Sequence, residues 1–148
     1  MLTHTLKKLF RRDLEKLKQE IGLYQKEKNL WIVDKNIPNS AGNLCLHLVG
    51  NLNYFIGTHL GNTGYVRHRE LEFSLKDIPQ AELIKMVEET IEVIDTTLDH
   101  VTEAQLNDDY PVVVFADKMT TEYFLVHLAA HLGYHLGQVN YHRRLLDF

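Results

Sequence analysis

Residues 127–142 read HLAAHLGYHLGQVNYH and carry four of the chain's nine histidines, three of them four residues apart. Imidazoles at i and i+4 of a helix sit one above the other, and their ring nitrogens can converge on a single ion. The bland alternatives are surface histidines, or histidines satisfied by hydrogen bonds in a core. Burying one without partners costs about 1–3 kcal/mol, so several side by side need a reason. Spacing alone makes His127/His131 and His131/His135 equivalent pairs, and His142 extends the same line.

A third imidazole from a facing helix would complete a three-ligand site with open coordination positions, the pattern of catalytic rather than structural sites. Three neutral imidazoles leave a divalent ion its full charge, which favours a bound water or thiolate. Zinc or nickel suit such ligands best, with iron and manganese also compatible, and ligand type alone does not choose. A di-iron centre would want Glu-x-x-His motifs, and the chain has none.

Helices must position these groups. Leu6, Phe10, Leu14, Leu17, Ile21 and Tyr24 recur at steps of three and four, which predicts a first helix ending near Asn29. Ser40 is the expected N-cap of a second helix, AGNLCLHLVGNLNYFIGTHL, apolar on nearly all sides and so interior. The run GNTG (61–64) stops it, and YVRHRELEFSLKD reads as a structured loop. Asp77 or Pro79 opens a third helix with a Leu83, Val87, Ile91, Ile94, Leu98, Val101 stripe. NDDYPVVVFADKM then predicts turn chemistry and a short extended segment, and Thr120 or Thr121 caps a last helix running to about Leu146. Four long amphipathic helices within residues 1–148 make one all-α domain, a four-helix bundle.

In a bundle a core line advances by alternating steps of three and four. On the last helix one such line is Phe124, Leu128, His131, His135, Gln138, His142, Leu145, apolar at its ends and polar in its middle. The adjacent line Leu125, Ala129, Leu132, Leu136, Val139 is wholly apolar, so the histidine face is expected to point inward. The second helix offers a matching line, Ser40, Leu44, His47, Asn51, Tyr54, Thr58. His47 lies before the middle of its helix and His131 and His135 near the middle of theirs, which allows similar heights.

Asn51 is a candidate partner for His47, Tyr54 a candidate hydroxyl at the cavity mouth, and Gln138 a candidate to orient a ligand. Arg69, with Glu70 or Glu72, could fold over the cavity and meet an anionic substrate. Glu88, Glu92, Asp95 and Asp99 are expected to face solvent, and Cys45 to be core. Ala129, Gly133 and Gly137 suggest close helix packing, within the bundle or between subunits.

The formal net charge of −4 is unevenly spread, because Met1–Lys28 holds eight Lys/Arg against four Asp/Glu. Those acids interleave with the bases and no aromatic ladder accompanies them, so an ion-paired helix face is expected rather than a nucleic-acid site. One cysteine excludes an internal disulfide and fits a reducing compartment. With neither a signal-peptide-like start nor a transmembrane-length segment, the expectation is a cytoplasmic protein without membrane association.

Taken together, NSAGNLCLHLVGNL (39–52), RELEF (69–73) and HLGYHLGQV (131–139) resemble the DinB-like superfamily of metal-dependent bundles, in particular its small bacterial proteins of unknown function. The resemblance covers essentially the whole chain. It implies an up-down-down-up bundle, often a homodimer, whose metal ligands are one histidine of the second helix and two of an HxxxH in the fourth. On this sequence those are His47, His131 and His135, leaving His127 and His142 as neighbours. Relatives include bacillithiol-using S-transferases and mycothiol-dependent maleylpyruvate isomerase. The resemblance therefore implies a metal-dependent, thiol-dependent S-transferase acting on a small molecule, with a low-molecular-weight thiol as co-substrate. A metal-dependent hydrolase, or a non-catalytic bundle whose ion is structural or sensed, are the alternatives.

Overall fold

The computed structural model describes all 148 residues and is entirely helical. Six α-helices follow one another: α1 (Leu2–Leu23), α2 (Ala41–Leu52), α3 (Arg69–Ser74), α4 (Gln80–His100), α5 (Glu103–Asn107) and α6 (Thr121–Leu146). A 3₁₀ turn at Glu27–Trp31 leads into α2, and a π-helical turn at Asn53–Thr58 leaves it.

The long helices are those the apolar spacing predicts. All six residues of the α1 stripe and all six of the α4 stripe are buried. α1 packs against α4 and α6, and α2 packs against the same two helices. One core of 28 buried residues results. α2 is buried at every position from Ala41 to Leu52, as its all-round apolarity requires. No helix is long and apolar enough to cross a membrane.

The helix starts follow from local chemistry. Asn43 N–H donates to Ser40 Oγ at 3.1 Å and Tyr123 N–H to Thr120 Oγ at 3.1 Å, so both expected caps form. Pro79 precedes α4, and the Gln80 amide closes the end of α1 by donating to the carbonyls of Ile21 and Tyr24.

Three expectations are revised. α1 stops at Leu23, where Tyr24 turns to extended backbone. The loop after Gly64 contains α3, tied to α2 because Asn43 Nδ2 donates to the carbonyls of Glu72 (2.9 Å) and Leu75 (2.8 Å). The expected extended segment before the last helix is irregular: 108–120 makes no strand, only an isolated antiparallel bridge between Asp109 and Thr120. A β-branched run with no neighbouring strand has nothing to pair with.

Basic residues of α1 are ion-paired. Arg11 pairs with Asp95, Lys7 with Asp99 and Arg143 of α6 with Glu20. These contacts occupy Asp95 and Asp99 away from the histidines. Cys45 is fully buried, and burial pushes its thiol up to about 12.

Candidate metal centre

His47 arises from the buried middle of α2, and His131 and His135 from successive turns of α6 that cross it. One ligating atom from each lies within 4.8 Å of the others. The ring centroids are 5.1 Å (His47–His131), 5.2 Å (His47–His135) and 4.5 Å (His131–His135) apart. His47 Nε2 stands 3.3 Å from His131 Nε2. Two nitrogens bound tetrahedrally to zinc at about 2.0–2.1 Å are themselves about 3.3 Å apart, so this pair already has the edge length a small divalent ion needs. The trio could hold a metal ion.

The rings are fixed from behind. His47 Nδ1–H donates to Glu72 Oε1 at 3.0 Å, which leaves Nε2 unprotonated and facing the other histidines. Glu72 is itself gripped by Arg67, whose Nε donates to Oε2 at 2.8 Å and whose Nη2 donates to Oε1 at 3.0 Å. Burial alone would raise the Glu72 carboxyl. The hydrogen bonds from His47 and Arg67 outweigh it and hold the group below its usual range. His135 Nδ1–H donates to Gln138 Oε1 at 2.7 Å, which turns its Nε2 toward the same place.

His131 has no such support. Its Nδ1 is buried without a partner. Burial first, then the neighbouring His135, His47 and His127, push its pKa down to about 4. Burial also lowers His135, partly offset by the Gln138 bond. Both imidazoles are therefore held neutral, the form that binds metal.

Glu72 reaches His47 only because α2 has a glycine there. A Cβ at Gly50 would lie 1.9 Å from Glu72 Oε2 and 2.6 Å from its carboxyl carbon. A glycine inside an otherwise apolar buried helix marks such a close approach, and it was the one signal in the sequence for the Glu72 contact. Arg67, the other half of the clamp, carries no sequence signal of its own.

The remaining site residues divide. Asn51 lies near His47 but makes no hydrogen bond to it, and its Oδ1 is buried without a partner. Tyr54 packs its ring against Phe55 and His59, with Arg67 above it. Arg69 lies over the Phe73 ring, its Cζ 5.3 Å from the centroid. Glu70 is exposed beside His68. The histidine line of α6 is less inward than its pattern suggests: Phe124, Leu128 and His142 are buried, His131 and His135 half-buried, Gln138 and Leu145 exposed.

His127 stands outside the trio, stacked on Phe124 at 5.8 Å. His142 is satisfied elsewhere: Tyr24 O–H donates to Nδ1 at 2.6 Å, and Nε2–H donates to the Ile32 carbonyl at 2.8 Å. Beside His47 and His131 a cleft of about 220 Å³ is walled by Phe55, Phe124 and Leu128, with Arg67 and Arg69 on its polar side.

Residues 3–147 match a family model described as a protein of unknown function, DUF1572. No curated protein matches the chain.

Proposed function

The chain belongs to the DUF1572 family of proteins of unknown function, and we propose that it is a metal-dependent enzyme, a thiol-dependent S-transferase. His47, His131 and His135 are the ligands in this reading, and the ion is zinc or nickel. The observation that carries it is the convergence of three imidazoles within 4.8 Å, one of them oriented by a carboxylate. On three neutral imidazoles a divalent ion supplies a Lewis acid that lowers the pKa of a thiol or water beside it.

The chain's own residues supply the rest. Glu72 fixes the His47 tautomer, and Arg67 cancels the charge Glu72 would otherwise place behind the site. Phe55, Phe124 and Leu128 exclude water from one side of the cleft. That cleft, adjoining His47 and His131, favours catalysis over a closed structural ion.

The resemblance to the DinB-like superfamily supports the choice of thiol transfer over hydrolysis, and an up-down-down-up four-helix bundle fits α1 and α2 each packing against α4 and α6. The homodimer of the same reading has a surface available in the exposed Tyr123, Val126, Tyr134, Tyr141 and Leu145 of α6. A cytoplasmic location goes with it.

Metal analysis of chain purified without chelator or nickel resin, followed by a thiol-consumption assay, tests the proposal. About one ion per chain is expected. Zinc-dependent transfer of a low-molecular-weight thiol to a chromogenic aryl halide is expected too, and is lost on chelation. Uptake of less than about a tenth of an ion per chain on titration refutes the metal site. A loaded chain that consumes no thiol from a broad panel refutes the transferase.

A further inference from the structure

The cleft beside the histidines has a one-sided chemistry. No aspartate or glutamate lines it, while Arg67, Arg69, Asn51 and His127 do. Glu72 neutralises Arg67 through two hydrogen bonds. Arg69 has no carboxylate partner, so its guanidinium is an uncompensated positive charge at the rim.

Asn51 is 7% exposed, and its Oδ1 is buried without a protein partner. A buried acceptor left bare at a cleft wall is a place for a donor group of a ligand. Aromatic rings line the cleft as well. Phe115, 47% exposed, stands 5.1 Å from the His127 ring, and His127 is stacked on Phe124 with an interplanar angle of 10°.

A cationic rim in a cleft that also holds aromatic rings selects an anion with a flat apolar body, and a planar guanidinium fork matches a carboxylate. A space of about 220 Å³ lies below the roughly 300–1,000 Å³ of drug-sized ligand sites, so the molecule is small. We infer that the acceptor substrate is a small carboxylic acid with a flat apolar body, its carboxylate received by Arg69 and its body set against Phe115 and His127. As a statement about substrate this rests on the transferase reading above; the cleft is defined without the ion.

Calorimetric titration of the zinc-loaded full chain with phenylacetate, and with neutral phenylacetamide, tests it. The acid should bind about tenfold or more tightly than the amide. R69Q should weaken the acid by about tenfold, and F115A by about two- to tenfold. Equal binding of acid and amide overturns the inference, as does wild-type affinity for the acid in R69Q. Repeating the titrations on chelator-stripped chain separates the two readings. If the acid preference disappears with the metal, the ion alone receives the carboxylate and the Arg69 assignment falls. If the chain takes up no zinc but keeps an Arg69-dependent preference for the acid, the anion cleft stands and the metalloenzyme reading falls.

Discussion

Replacing Glu72 with Gln tests the site where its logic is most exposed. The carboxylate accepts three hydrogen bonds, one from His47 Nδ1 and two from Arg67, at 2.8–3.0 Å. An amide of the same shape cannot accept all three. With its oxygen toward His47, its NH₂ meets the Arg67 Nε donor head-on. Turned round, it donates to His47 Nδ1, which moves the imidazole proton to Nε2 and points it at His131 Nε2, 3.3 Å away. Either arrangement removes a charge-assisted bond worth about 1.5–3 kcal/mol.

If the His47 tautomer is what the bond controls, that loss appears in metal affinity, and removing such a partner typically costs about 10–100-fold. The two magnitudes agree, since each tenfold corresponds to about 1.4 kcal/mol. E72Q should therefore bind zinc about 10–100-fold more weakly in competition with a chromophoric chelator. Long-range nitrogen–proton NMR correlations on the metal-free chain should show the His47 proton moved from Nδ1 toward Nε2. A folded E72Q chain that binds zinc within about twofold of wild type would refute the reasoning: either His47 is not a ligand, or Glu72 does not set its tautomer.

Gly50→Ala should imitate E72Q from the other side of the contact, because its Cβ must displace the Glu72 carboxylate; weakened zinc binding and about 1–3 kcal/mol lower stability are expected, and an unchanged denaturation midpoint argues against the contact. Single alanine replacements of His47, His131 or His135 should take metal content from about one ion per chain to near zero, while His127→Ala retains it; loss in His127→Ala would relocate the site. His142 predicts acid sensitivity. Burial lowers its pKa from 6.5, partly offset by the hydrogen bond to Ile32, so the native state binds fewer protons than the unfolded chain. That stability is fully present above 6.5 and is lost as pH falls from 6.5 toward the native value. Denaturant titrations of metal-free chain at about pH 7.5 and about pH 5.5 should show the loss. His142→Phe should shrink it without abolishing it, since His131 and His135 are also depressed, and an unchanged pH difference would show that His142 does not contribute.

The fold was legible in the sequence where one periodicity dominated. Leu6 to Ile21 and Leu83 to Leu98 repeat at helical spacing, and each buries its stripe. The caps Ser40 and Thr120 were legible because a single side chain satisfies the helix's first amides. The ends of helices were less so. Tyr24 turns out of α1 and its hydroxyl meets His142, a partner 118 residues away that no local pattern reveals. α3 is only six residues long and is held by Asn43, 29 residues before Glu72.

The site divides along the same line. Histidines at i and i+4 announce themselves, whereas spacing left His127/His131 and His131/His135 equivalent; the family resemblance chose the second pair, and the crossing of α6 over α2 brings it to His47. Arg69, Glu70 and Glu72 look interchangeable as charged loop residues. Of the three only Glu72 is buried, in the space that Gly50 leaves open opposite it.

The same polar cluster argues about purpose. Twenty-eight apolar residues already form a continuous core. Against that core His131 leaves a buried nitrogen unpaired and Asn51 a buried oxygen. A leucine at either position would satisfy packing and leave no polar atom bare, and each such atom costs about 1–3 kcal/mol. Arg67 and Glu72 are likewise brought out of water to orient one imidazole, and buried ion pairs are weak stabilisers of a fold. Costly polar groups gather at His47, Asn51, Glu72 and His131, where α2 meets α3 and α6, while His59, whose Nε2 is also buried without a partner, lies apart beside Tyr54. Such a concentration of costly polar groups is what the proposed metal site predicts.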